Sequence, residues 1–175
     1  MTPLNLEDSL VSFVQDKSAD TLLKSSLRDE AGKAILAPPL CTTGFIPSFL
    51  TGEPDSQVVP HIVVQFSTAD YTFQTASYSV ELLISTLDDE LDHQGYRDGL
   101  NLAEKLKTAL FTERILGRTW RLVMPFNFRV IHVEQNATRA IEHPIYRVVM
   151  LTSWEVAAPG SRFDAILTGA GADQV

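Results

Sequence analysis

Apolar residues at Leu6, Leu10, Phe13 and Val14 are spaced i, i+4, i+7 and i+8, and this step predicts an amphipathic helix over residues 5–15. Asn5 is its expected N-cap, a side-chain oxygen that accepts from the orphan amides of the first turn. Glu7 and Asp8 then fall where the helix dipole favours negative charge. Leu22, Leu23 and Leu27 predict a second helical stretch over residues 20–30, exposed on one side. Residues 37–60 read differently. Pro38, Pro39, Pro47, Pro54 and Pro60, with Gly44 and Gly52, break helices and central strands alike, so a long connection is expected.

Beyond the prolines the period shortens to two. A β-branched run from His61 to Phe66 predicts a strand within residues 58–67. Over residues 71–87, Tyr78, Val80, Leu82 and Ile84 take one parity and Ser77, Ser79, Glu81 and Ser85 the other, which predicts one buried and one wet face. The reversal between these two strands is expected around Asp70. Tyr96, Leu100, Ala103, Leu106 and Leu110 step by three or four and predict the strongest helix, residues 96–111, lying on a sheet. Trp120, Leu122, Met124 and Phe126 resume alternation, Pro125 interrupts it, and Phe128, Val130 and His132 continue it. In residues 145–156, Tyr146, Val148, Met150 and Trp154 face one way and Val149 and Leu151 the other, as in a central strand covered on both sides. The pattern as a whole predicts an α+β fold, a mostly antiparallel four-stranded sheet with helices packed on one face. It forms a single domain over residues 1–156, with 37–60 as a long proline-rich loop and 157–175 as a flexible C-terminal tail.

Composition narrows what such a fold can do. With 175 residues, 45% of them hydrophobic and 21% charged, one ordinary core is expected. Fourteen Lys and Arg stand against 22 Asp and Glu, a net charge of −8 with no basic stripe, which disfavours phosphate backbones and anionic membranes. No apolar run approaches the roughly 20 residues of a membrane-spanning helix. Residues 1–8 carry acid where a signal peptide would carry base. The single Cys41 rules out an intrachain disulfide and paired-cysteine zinc patterns, and fits a reduced setting.

The densest polar cluster is Asp88-Asp89-Glu90-Leu91-Asp92-His93, between a strand and a helix. Carboxylates and an imidazole at a strand end can hold a divalent metal, so one reading is a small metal-dependent hydrolase using Asp88, Asp89, Asp92 and His93. The other is structural: acids ahead of a helix offset its dipole and solvate a turn. His61, His132 and His143 lie in or beside predicted strands with spacings unlike zinc ligands, and are expected at sheet edges or on the surface. Glycine-rich phosphate loops and the nucleophile-elbow motif do not occur, so no catalytic set, metal or cofactor is expected. The candidate interface is therefore the acidic turn at Asp88, Asp89 and Asp92, with Phe45, Ile46, Phe49 and Leu50 in the proline-rich loop. The latter four either cover the core or meet a partner.

Several short motifs form a recognisable series. They are Ser79-Val-Glu-Leu-Leu-Ile84, the acidic turn, Gly95-Tyr-Arg-Asp-Gly99 opening a helix, Trp120-Arg-Leu-Val-Met-Pro125, Glu142-His-Pro-Ile-Tyr-Arg147, and Ser153-Trp-Glu-Val156. This series, covering a little under half the chain, resembles the tail terminator (tail completion) proteins of long-tailed bacteriophages and prophages. The resemblance implies a non-enzymatic homo-oligomer, a hexameric ring that caps the tail tube protein, ends tail elongation and offers the head–neck connector protein a docking surface. It also implies a place in the virion tail, assembled in the host cytoplasm. Six copies at −8 each would line a lumen through which DNA passes without specific binding.

Overall fold

The computed structural model describes residues 2–44, 59–72, 75–88, 94–123, 131–132 and 145–157. Helix α1 spans Pro3–Ser18, with Thr2 extended before it and a proline at its first position, where the missing amide costs nothing. Asn5 thus lies inside the first turn rather than at the N-cap, and Glu7 and Asp8 lie beyond that turn. Leu6, Leu10, Phe13 and Val14 are buried together, as their spacing requires. Glu7 shares that face. Its carboxylate accepts a 2.6 Å hydrogen bond from the Phe66 amide, where a register shift interrupts the pairing of the strand that carries it.

The helix expected over residues 20–30 is instead a hairpin. Strand β1 (Leu23–Arg28) pairs antiparallel with β2 (Ala34–Ala37) as a separate two-stranded sheet. Turn chemistry decides this. The Asp29 amide donates to the Lys33 carbonyl and the Gly32 amide to the Asp29 carbonyl. The Asp29 carboxylate accepts from the amides of Ala31 and Lys33, at 3.0 and 2.8 Å. Gly32 has φ +77°, the left-handed conformation that closes a three-residue hairpin loop.

Among the described residues the main sheet has seven strands, not four. They are β3 (Leu40–Thr43), β4 (His61–Tyr71), β5 (Thr75–Leu87), β6 (Ile115–Leu116), β7 (Trp120–Leu122), β8 (Ile131–His132) and β9 (Ile145–Ala157). Their order is β3–β4–β5–β9–β7–β6, with β8 also on β9. β3 runs parallel to β4, so the sheet is mixed. It also lies within 37–60, a stretch expected to hold no strand: Pro38 and Pro39 separate β2 from β3 rather than excluding both. Strands of two to four residues carry too few alternations to register as a period. The β4–β5 reversal also shifts from its expected place, because Asp70 still pairs with Ser77. β4 continues to Tyr71 and β5 begins at Thr75, and the Thr72 amide donates to the Thr75 carbonyl and the Thr75 amide to Thr72 Oγ1.

Helix α2 (Gln94–Thr112) and α1 pack on the sheet face that carries Ala76, Tyr78, Val80, Leu82 and Ile84 of β5 and Val148, Met150 and Trp154 of β9, in one core cluster. Two glycines let α2 approach closely. A Cβ on Gly99 would meet Val148 and Thr86 at 3.2 and 3.3 Å, and one on Gly95 would clash outright with Asp88. The other face of β5 is not wet: Ser77, Ser79 and Glu81 are half-buried and Ser85 is buried. The Trp154 indole, fully buried, donates to Thr152 Oγ1 at 2.9 Å, and Thr152 in turn donates to the Val80 carbonyl at 3.0 Å. Each buried polar group in this relay thereby has a partner.

Candidate functional site

Of the candidate interface residues, only Asp88 lies among those described, and it is not exposed. It has 0% accessibility at the end of β5. Its carboxylate accepts from the Gly95 amide at 3.2 Å and faces Lys24 Nζ of β1 at 3.6 Å. Thr86 Oγ1 donates to the Gly95 carbonyl at 2.6 Å. Asp88 thus serves as a remote cap for the first turn of α2 while tying down the root of the hairpin. An uncompensated carboxylate could not be buried there, and the helix amide and the lysine supply the compensation. Run composition marks such a residue as solvated; the signal that marks it otherwise is the Gly95 seven residues on, where only a glycine lets the acid in. Asp89, Asp92, His93, Phe45, Ile46, Phe49 and Leu50 lie outside the described residues, as do His143 and residues 158–175.

Other groups with chemical potential are built into the core. His61, expected at an edge or on the surface, is 5% exposed within β4, between β3 and β5. His132 sits opposite Val148 in the β8–β9 pair. Cys41 is buried, with its thiol 3.9 Å from Ser18 Oγ, and burial pushes its pKa above the usual thiol value. Among the described residues no three His, Cys, Asp or Glu side chains gather as a metal site would require.

Several exposed large apolar side chains fall toward the two ends of the sheet. At the end where β4 begins and β5 finishes, Leu22, Leu27, Ile35, Leu36 and Leu40 are 42–58% exposed, all on or beside the hairpin. Hydrogen bonds between Ser26 and Val59, in both directions, and the Lys24–Asp88 ion pair root the hairpin there. At the opposite end lies an open cleft of about 450 Å³, lined by Arg114, Ile115, Arg121, Leu122, Val123 and Glu155. Ile115 is 60% exposed, and Arg121 pairs with Glu155 across the β7–β9 ladder. Tyr71, 67% exposed, stands at this end too. It packs edge-on against Tyr78, which packs edge-on against Trp120 at 5.3 Å between ring centroids.

No protein-family model and no curated protein matches the chain.

Proposed function

We propose that this protein is a structural subunit of a phage tail, a tail terminator that assembles as a ring on the tail tube protein, stops its elongation and receives the head–neck connector. The observation that carries the reading is the group of exposed aliphatic side chains on and beside the hairpin, with a cleft of mixed charged and apolar lining at the opposite end of the sheet. A chain with ample core material has no reason to leave five large aliphatic side chains in water on and beside one hairpin unless something covers them. The motif series from residue 79 to residue 156 supports the same reading. Metal-dependent hydrolysis by Asp88, Asp89, Asp92 and His93 is the weaker alternative, because Asp88 is already engaged by a helix amide and a lysine.

In the assembled ring the excess of acid acts collectively, keeping the lumen wall from holding DNA as it passes. The test is light scattering on the full chain, followed by electron microscopy with purified tail tubes. Rings in solution or caps on tubes are the expected result. A chain that stays at 19.4 kDa and never decorates a tube overturns the proposal.

A further inference from the structure

We infer that the β1–β2 hairpin of one copy docks in the cleft beside β6 and β7 of a second copy, so that subunits join head to tail. This rests on the reading of the chain as a ring subunit and names the contact that builds the ring. Ile35 and Leu36 are consecutive in β2 and point to opposite faces, yet they are 42% and 58% exposed. The β2 strand of the hairpin is therefore uncovered on both faces. A two-stranded ribbon of this kind is marginally stable in water by itself. Leu22, Leu27, Ile35, Leu36 and Leu40 together leave roughly 400 Å² of apolar side chain uncovered, about half of what each partner gives to a stable interface.

A second copy fits this arm because the receiving surface is on the same chain and at the far end. β5 runs from the cleft end, where its Ser77 pairs with Glu155, to Leu87 beside the hairpin root, about 30 Å of strand. A surface at one end that docks on a different surface at the other can repeat from copy to copy head to tail, and such contacts close into a ring where the rotation between copies closes. The chemistry matches as well. The cleft offers the exposed Ile115 and the half-buried Val123 to the leucines, and its rim carries Arg114 and Arg121 with Glu155. The hairpin tip carries the acid Glu30, which suits the Arg114 side of the rim, while Arg121 and Glu155 already pair with each other. β6 is the last strand of the sheet, and its outer edge is open to an added strand among the described residues.

The experiment uses two full-length variants: the arm variant Leu27→Thr/Leu36→Thr and the cleft variant Ile115→Thr, all at exposed positions where threonine suits a strand. Far-UV circular dichroism and thermal melting establish that both fold as the wild type does. Masses are then read by light scattering. Each variant alone is expected to fall to the single-chain mass of 19.4 kDa, while an equimolar mixture recovers a two-chain species, because the intact arm of one still fits the intact cleft of the other. Variants that oligomerise like wild type overturn the arm-in-cleft contact and leave the ring standing. Two monomeric variants that fail to pair on mixing overturn it in favour of arms meeting arms. An arm variant that keeps its oligomer but loses tail tubes overturns it in favour of the tube protein as occupant. A wild type that is monomeric both alone and on tubes overturns ring and contact together.

Discussion

The Gly95 amide donates to the Asp88 carboxylate at 3.2 Å, and a Cβ on Gly95 would stand 2.6 Å from the Asp88 Cβ and 3.0 Å from the Tyr146 ring. The helix start and the strand end are therefore fitted around one missing methyl group. Gly95→Ala is expected to lose about 1–2 kcal/mol, overpacking outweighing the gain in helix propensity. Gly99→Ala, with contacts only at 3.2 and 3.3 Å, is expected within ~1 kcal/mol of wild type. Urea unfolding of the two variants side by side checks the difference.

Asp88 links that helix start to the hairpin through Lys24. Asp88→Ala leaves the Gly95 amide without its acceptor and is expected to cost about 1–3 kcal/mol. Asp88→Asn keeps an acceptor and is expected to cost less. Lys24→Met separates the two roles: a small change there, beside a large one for Asp88→Ala, assigns the stabilisation to the helix cap. Denaturant midpoints read all three.

Glu7 reaches from α1 to the Phe66 amide at 2.6 Å, at the irregularity in β4. Glu7→Ala is expected to destabilise by ~1.5–3 kcal/mol, the range for a hydrogen bond to a charged group, and Glu7→Gln by less. Hydrogen exchange at the Phe66 amide should quicken in Glu7→Ala before the rest of the sheet loosens.

Burial raises the Cys41 thiol above its usual value, so the folded chain binds that proton more tightly than the unfolded chain does. The associated stability is full below the ordinary thiol pKa and fades as pH rises through the folded value. At neutral pH, alkylation of native Cys41 should be far slower than in denaturant, where the thiol titrates normally. Equal rates in the two states would contradict its burial.

Asp20 pairs with Lys105, joining the segment after α1 to α2, and that partner holds the Asp20 carboxyl below its ordinary value of 3.8. The folded state binds this proton less tightly than the unfolded state. The pair's contribution is thus present above pH 3.8 and is lost as pH falls through the lower folded value. Both groups are exposed, so the effect is small and screened by salt. Lys105→Met should flatten the acid limb of the stability curve only slightly, and less so at high ionic strength.

Long periodic segments were legible from the residues alone. α1, α2, β5 and β9 each present a largely apolar stripe, and burial of a stripe is what makes a helix or strand of that length worth forming. The hairpin was not legible from its leucines, since Leu22, Leu23 and Leu27 suit a helix as well as a strand. Asp29 and Gly32 held the better signal, an acceptor side chain followed three residues later by a residue free to adopt positive φ.

By itself the sequence determined that one core exists, that α1 and α2 each lay an apolar face on a sheet, and that the chain carries an acid excess. Periodicity and charge are local properties, and no partner strand is needed to read them. Only the tertiary structure decided that β3 lies parallel to β4, that seven strands among the described residues share the sheet, and that Asp88 is inside while Leu36 is outside. These depend on partners that a local pattern does not name: the Asp88 environment comes from Lys24 and Gly95, and Leu36 lies in a strand that, among the described residues, pairs with β1 alone, in a separate two-stranded sheet. Pairing and burial of this kind are settled by long-range contact, which a pattern along the chain does not record.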